Sequence, residues 1–521
     1  MRAPISTTPG PDGIDVQALR ARLQSCTGQP VTLVETHLSW VLLTPDLAYK
    51  LKKPVHLPFV DCTSVASRAH YCREELRLNR RLAGPLYLGV LPVRGTADAP
   101  CIGGIGEPVD YVVCMRRFPP GALLSEMLQA GQLHGSDLAP FARRLARFHA
   151  EAPAVAPGSE LGAPAQILAA VCGVLEQLDP LYGATTVAVL RSWVDAEAFA
   201  LGPLWLERQR SGHVRECHGD LHLDNLVRID DEVTAFDCLE FDVGLRSIDT
   251  MGDIAFTLMD LKARGRPDLA HGLLDDYLQA SGDYAGVAVL RFYEVYRALV
   301  RALVDGLRRS CAAQAPQGSP YMAWALGAVH VARSGPPPLV LMHGLSGSGK
   351  STVARALVEQ GGAIRLRSDV ERKRMFGLDA FESSTSAGQS IYGAGSSGQT
   401  YTHLLWRARA LLATGYPIIV DAAFLRRWQR QAFLALAVEQ GAPLTIVDCD
   451  APDAALHARL LARTAAGADP SEADVHVLRN QIAHQDPLGP DESAGALRVN
   501  TDAPLDVMGL WRQIAPVAPR R

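Results

Sequence analysis

The sequence predicts an α+β region over residues 1–335 followed by an α/β domain with a parallel sheet over residues 336–521. Three observations carry that reading. At 521 residues the chain is too long for one hydrophobic core, because single cores stop growing at roughly 250–300 residues. A helical pattern over 321–331 runs into Ser334-Gly335-Pro336-Pro337-Pro338, which stops any helix, and a new strand pattern starts at Leu339. Beyond that break, apolar strand patterns at 339–343, 363–366, 417–421 and 444–449 alternate with helical spacing, as in a parallel sheet covered by helices.

The first region opens with strand-like segments at 31–34, 40–43 and 47–51, followed by a charged helical pattern over 67–82 and a strand pattern at 111–115. Most of the remainder has helical periodicity, apart from 217–243. This predicts a small sheet-containing lobe over about 1–115 and a mainly helical lobe over about 116–335. With 48% hydrophobic and 20% charged residues the chain reads as a folded, soluble protein. Its 51 basic and 55 acidic side chains lack the basic excess of a dedicated nucleic-acid binder. Ten cysteines without a CxxC pair argue for reduced thiols in the cytoplasm over a disulfide framework or a structural zinc. The opening MRAPISTTPGPDG has no apolar core and no run of about 18 apolar residues occurs, so the sequence predicts neither export nor a membrane span.

Gly344-Leu345-Ser346-Gly347-Ser348-Gly349-Lys350-Ser351 fits G-x-x-x-x-G-K-[ST] between an apolar strand and a helix, with Thr352 next. In such a P-loop the glycines let successive backbone N–H groups converge on phosphate oxygens. Lys350 would reach the β/γ-phosphates and Ser351 would offer its hydroxyl to Mg²⁺. The expected ligand is ATP or GTP. Asp421 ends the apolar run 417–420, where a carboxylate suits an outer-sphere Mg²⁺ or water-orienting role, or a helix cap. Asp369 sits among Arg365, Arg367, Arg372, Lys373 and Arg374, so a carboxylate that could deprotonate an acceptor is flanked by cations that could hold phosphate. Arg459 and Arg463, spaced i, i+4, share one helical face, as a lid closing over phosphates requires.

The runs GLSGSGKST, RSDVERKRM, IIVDAAF and RLLARTAAGADPSEADVHVLRNQ make residues 336–521 resemble the small P-loop kinases of the zeta-toxin and gluconate-kinase type. That resemblance implies that Asp369 contacts or activates the acceptor and that Arg459 or Arg463 stabilises the γ-phosphoryl.

In the first region, His218-Gly219-Asp220-Leu221-His222-Leu223-Asp224-Asn225 leads into two apolar segments around Asp230-Asp231-Glu232, and Phe236-Asp237 follows. This reads as a hairpin centred near Asp231, with Asn225 and Asp237 each six residues from the centre and so brought together at its open end. An amide oxygen and a carboxylate there suit Mg²⁺, and Asp220 on the entering loop could act as base for an acceptor hydroxyl. Eleven acidic side chains against three arginines between residues 211 and 255 need a metal, a cation or open solvent to offset their repulsion. Upstream, Lys50 in Leu47-Ala48-Tyr49-Lys50 would orient phosphates and Glu75 would pair with it; Lys52 shares that strand face and Glu74 neighbours Glu75. The backbone near Cys114 and Met115 could hydrogen-bond adenine.

HGDLHLDN and AFDCLEFD make residues 1 to about 333 similar to the aminoglycoside phosphotransferase and choline-kinase group of protein-kinase-like enzymes. No G-x-G-x-x-G precedes the lysine strand; Thr36-His37-Leu38-Ser39-Trp40 stands there, which counts against a protein kinase more than against a small-molecule kinase. The two halves together resemble bacterial proteins called bifunctional aminoglycoside phosphotransferase/ATP-binding proteins. The resemblance implies a Mg²⁺-dependent transfer from ATP to a small hydroxylated metabolite such as a sugar, amino sugar or amino alcohol. Two other readings stay open: the P-loop half as a nucleotide sensor, or the chain as an NTP-dependent toxin or protein-modifying kinase.

Overall fold

The computed structural model describes residues 13–57, 60–311, 318–330, 336–380, 382–384, 394–466 and 469–515. The break at Ser334-Gly335 therefore lies outside the described residues. The chain packs into two compact units: residues up to 141 with 148–169 and 202–257, and residues 142–147, 170–201 and 258–521. Helices that precede residue 335 thus pack with the C-terminal sheet.

In the first unit, α1 (Val16–Thr27) starts at Asp15, whose carboxylate accepts the N–H groups of Gln17 and Ala18, a standard way to satisfy a helix start. It precedes a six-stranded antiparallel sheet whose strands are β1 (Thr32–Glu35), β2 (Ser39–Leu43), β3 (Leu47–Lys52), β4 (Tyr87–Thr96), β5 (Ala99–Ile102) and β6 (Asp110–Arg116). Their spatial order is β1-β2-β3-β6-β4-β5. Period-two alternation divides the sheet's faces. Trp40, Leu42, Leu51 and Val112 cluster with Leu19 of α1, while Ala48, Val113 and Met115 cluster with Cys72 and Ala83 of α2 (Val65–Ala83). Burying each Leu, Val or Met among them is worth about 1.5–3 kcal/mol, and Lys50 and Lys52 share the Ala48 face. β4 and β5 escape the sequence pattern because Gly89, Pro92 and Gly95 in β4 and Pro100 in β5 interrupt the alternation.

The helices that follow are α3 (Leu124–Gln129), α4 (Gly135–Glu151), α5 (Pro164–Tyr182) and α6 (Ala184–Arg210). The hairpin β7 (Leu226–Ile229) and β8 (Glu232–Ala235) is next, then α7 (Thr250–Ala263). The hairpin turns on Asp230 and Asp231, both with positive φ (49° and 63°), the two-residue turn whose twist matches paired strands.

The second unit holds α8 (Pro267–Ser281), α9 (Val287–Cys311) and α10 (Pro320–His330), then β9 (Leu339–His343), α11 (Lys350–Gly361), β10 (Ile364–Arg367), α12 (Ser368–Met375) and α13 (Ala394–Leu412). It continues through β11 (Ile418–Asp421), α14 (Arg427–Gln440), β12 (Leu444–Asp450), α15 (Asp453–Ala466), α16 (Val475–His484), β13 (Leu497–Asn500) and α17 (Val507–Ile514). The five strands are parallel in the order β10-β11-β9-β12-β13. β9, which feeds the P-loop, is central and wholly buried, and Val340 and Met342 pack with Val353, Ala354 and Leu357 of α11. The fold is therefore an α+β region built on a six-stranded antiparallel sheet, followed by an α/β domain whose five-stranded parallel sheet carries the P-loop. Among the described residues no helix is long and apolar enough to cross a membrane.

Candidate functional site

In the first unit a loop from His218 to Asn225 connects a short strand, Val214–Glu216, to β7. Gly219 has φ 87°, and a Cβ there would lie 2.9 Å from the Leu245 carbonyl oxygen, so the turn requires glycine. Asp253 of α7, fully buried, accepts the backbone N–H groups of His218 (3.0 Å) and Gly219 (2.8 Å) and lies 3.1 Å from Nε2 of His149. Burial alone would raise its carboxyl, but the hydrogen bond and charge of His149 and the contacts with His218 hold it down at about 2. Burial also lowers the His218 imidazole, which keeps it neutral. Its Nε2 donates to the Phe236 carbonyl at 2.9 Å, which leaves Nδ1 to accept the Asp220 N–H at 3.3 Å. One tautomer thus ties the Asp220 loop to the end of β8.

Asn225 is buried, and its Nδ2 donates to the carbonyl (3.0 Å) and the Oδ2 (2.9 Å) of Asp220, which leaves its Oδ1 as the acceptor. His222 Nε2 lies 3.3 Å from the same Asp220 oxygen. The hairpin register differs by one from the sequence expectation. Leu226 pairs with Ala235 and the Phe236 N–H donates to the Asn225 carbonyl, because the two-residue turn centres the hairpin between Asp230 and Asp231. Asp237 lies one residue beyond, with φ 62°, and its carboxylate pairs with Lys50.

Lys50 Nζ also reaches Glu75 Oε1 at 2.9 Å. Lys52 pairs with the other Glu75 oxygen and with Glu240. Two ammoniums thus face three carboxylates. Burial would raise Glu75, yet Lys50 and Lys52 outweigh it and hold the carboxyl well below its usual range. At Glu240 burial wins and the carboxyl is raised. Met115 pairs with both Ala48 and Tyr87 inside the sheet, and the chain leaves the ladder only after Arg116.

In the second unit Gly344 has φ 135°, and a Cβ would lie 2.3 Å from the Cys449 carbonyl oxygen. Ser348 is buried with its Oγ unpartnered, and the Ser346 N–H donates to the Gln481 side chain at 2.8 Å. Gly347 and Gly349 both have positive φ, and α11 begins at Lys350, followed by Ser351 and Thr352. Lys350 Nζ donates to the Leu345 carbonyl at 2.7 Å, and burial lowers its pKa against the opposing pull of Asp421. Asp421, at the end of β11, is buried, and its Oδ2 has no hydrogen-bond partner; Arg365 Nη1 is 3.5 Å and Arg367 Nε 3.6 Å away. Asp369 opens α12 with Arg372 Nη1 3.6 Å away. Arg459 donates to the Gly347 carbonyl (3.3 Å) and to Thr501 (Oγ1 at 2.9 Å, O at 3.0 Å), so it braces the P-loop against the end of β13. Arg463 donates to the Ala473 carbonyl.

Both donor sets fit Mg²⁺. The first offers the Asn225 amide oxygen and the Asp237 carboxylate, and the second the Ser351 hydroxyl and the enclosed Asp421 oxygen. Sequence reasoning held Lys52 only as an alternative to Lys50 and assigned no role to His218, Glu240 or Asp253. His218 and Glu240 stood inside the quoted motifs. Asp253, one of two carboxylates in the apolar run of α7, carried the burial signal unnoticed.

Residues 339–488 match the AAA domain family model. The choline/ethanolamine kinase family protein from Mesorhizobium loti is similar at 17% identity, with 60% of this chain and 92% of that chain covered and a TM-score of 0.36. The Mycobacterium tuberculosis APS kinase CysC in complex with AMPPNP and APS is similar at 21% identity, with 34% and 95% covered and a TM-score of 0.26. Uncharacterized protein Rv2004c of Mycobacterium tuberculosis (strain ATCC 25618 / H37Rv) is 31% identical over 461 residues, covering 85% of this chain and 90% of the relative. Uncharacterized protein Mb2027c of Mycobacterium bovis matches equally. With that identity over nearly the whole length of both proteins, the chain belongs to the family of Rv2004c.

Proposed function

We propose that the chain is a cytoplasmic, Mg²⁺-dependent phosphotransferase whose first unit moves the γ-phosphoryl of ATP or GTP onto the hydroxyl of a small metabolite, and whose P-loop holds a second NTP. The observation that carries this reading is the buried Lys50–Glu75 pair at 2.9 Å, which holds an ammonium against Asp237 at the open end of the hairpin. In this reading Lys50 orients phosphate oxygens, and Asn225 and Asp237 hold the metal, which when bound offsets the phosphates' charge. Asp220, its carboxylate fixed by Asn225, takes the acceptor's proton as the acceptor oxygen bonds to the γ-phosphorus and the bond to the leaving diphosphate breaks. The acidic surround favours a neutral or cationic acceptor, a sugar, amino sugar or amino alcohol. At the P-loop, Lys350 and the loop N–H groups bind phosphate, Ser351 and Asp421 hold metal, and Asp369 is the candidate for acceptor activation.

The test is to incubate the full chain with γ-labelled ATP or GTP, Mg²⁺ and a metabolite extract, alongside Asp220→Asn and Lys350→Ala. Labelled metabolite should fall about 10²- to 10⁴-fold in Asp220→Asn and persist in Lys350→Ala. The reverse pattern moves the chemistry to the P-loop, and label on protein in place of metabolite refutes the small-molecule reading.

A further inference from the structure

We infer that Asp275, on α8, is a positioning residue for Mg²⁺ at the P-loop and acts through Arg365; the inference rests on the reading of residues 344–351 as an NTP site. Arg365 is 5% exposed. Its Nη2 and Nε donate to Asp275 Oδ2 (2.6 Å) and Oδ1 (3.2 Å). Its Nη1 donates to the Ser351 carbonyl at 3.2 Å and stands 3.5 Å from Asp421 Oδ2. One guanidinium therefore touches or faces both residues of the P-loop metal set. Asp421 Oδ2 is enclosed and accepts no hydrogen bond, so its lone pairs are available to a cation only while Arg365 is kept outside bonding range. Asp275 supplies that restraint by gripping the fork from the opposite side.

Removing the Asp275 charge has two consequences of the same sign. Arg365 is free to close on Asp421 and occupy the oxygen, and its own charge, with one of its two buried carboxylate partners neutralised, opposes a divalent cation nearby. Asp276, the next residue, provides the comparison. It pairs with Arg355 at 2.8 and 3.0 Å, so its neutralisation breaks an ion pair made from the same helix without removing any hydrogen bond to Arg365. Asp275 also accepts from Arg355 at 3.0 Å, which both variants disturb.

The experiment uses the full chain and a non-hydrolysable ATP analogue, and follows by calorimetry the binding event that Lys350→Ala removes, first in EDTA and then across a Mg²⁺ titration. Asp275→Asn should raise the Mg²⁺ concentration for half-maximal enhancement about tenfold or more while leaving metal-free binding near wild type. Asp276→Asn should leave the Mg²⁺ requirement unchanged, and Asp275→Glu should restore it. The inference is overturned if Asp275→Asn and Asp276→Asn shift the requirement equally, or if neither shifts it while Lys350→Ala abolishes the event. Should Lys350→Ala remove no binding, the NTP reading of the P-loop fails first and takes the inference with it. If Asp275→Asn does not fold, Arg365→Lys, which keeps the charge but cannot grip Asp275 and Ser351 together, should give the same shift, and an unchanged Mg²⁺ requirement there overturns the proposal.

Discussion

Glu75→Gln tests the electrostatic centre of the first unit. Glu75 is fully buried with one oxygen on Lys50 and the other on Lys52, so glutamine keeps the shape, removes the charge and turns an amide donor toward an ammonium. A carboxyl held from 4.5 down to about 2 corresponds to about 3 kcal/mol of preference for the anion in the folded state. That agrees with the 3–5 kcal/mol typical of breaking a buried ion pair from one side. For a unit of this size the loss is about 6–20 °C in melting temperature. Because the folded value is depressed, the stabilisation is fully present above pH about 4.5 and is lost as pH falls toward 2, where neutral Glu75 and glutamine become equivalent. Urea unfolding of wild type and variant at pH 7 and at stepped pH values down to 3 reads the difference directly. A gap below about 1 kcal/mol at pH 7, or one that stays constant down to pH 3, refutes the claim that the two lysines hold Glu75 charged.

Three further outcomes are expected. Gly344→Ala places a methyl 2.3 Å from the Cys449 carbonyl oxygen and 2.7 Å from Ser348 Oγ; calorimetry should find P-loop nucleotide binding lost while Asp220-dependent transfer survives. Asp253→Asn strips the charge from the acceptor of the His218 and Gly219 N–H groups, and should lower kcat at least about 100-fold with a stability loss of about 3 kcal/mol in urea. Lys50→Met should raise the KM for ATP by an order of magnitude or more, whereas Lys52→Met, which leaves Glu240 buried without its partner, should act mainly on the urea midpoint.

The parts of each site that depend on local spacing were legible in the sequence. The P-loop announces itself because its glycines, lysine and serine are contiguous, whereas the Asp220–Asn225 contact, though it spans only five residues of one loop, was not anticipated. Long-range partners were less accessible. Glu75 and Glu74 differ by one position, and only the helix phase of α2 decides that Glu75 faces β3. Both Lys50 and Lys52 belong to that face, and the structure uses both. The one-residue shift of the hairpin came from positive φ at two aspartates, where the acidic turn suggested a single central residue. Arg459 is another instance: its i, i+4 partnership with Arg463 was visible, but its attachment to Thr501 depends on β13, an edge strand of four residues that the pattern did not reveal.

In both units the lysine that sequence logic directs at phosphate is engaged by an internal acceptor. Lys50 pairs with Asp237 and Lys350 donates to the Leu345 carbonyl. In the proposed reaction phosphate binding would exchange partners at each site, and the two exchanges would differ in kind. At Lys50 the displaced partner is a carboxylate that is itself a metal ligand in the proposed reaction, so metal and phosphate arrive where one ion pair separates, and each offsets the charge the other exposes. At Lys350 the displaced partner is a neutral carbonyl, and the lysine's depressed pKa shows burial outweighing the pull of Asp421. A phosphate there relieves an under-compensated cation, which binding can exploit without metal. The first site should consequently show steep mutual dependence of nucleotide and Mg²⁺ affinity. The P-loop should retain measurable nucleotide binding in EDTA, with Asp421 and the Asp275–Arg365 pair setting how much Mg²⁺ adds.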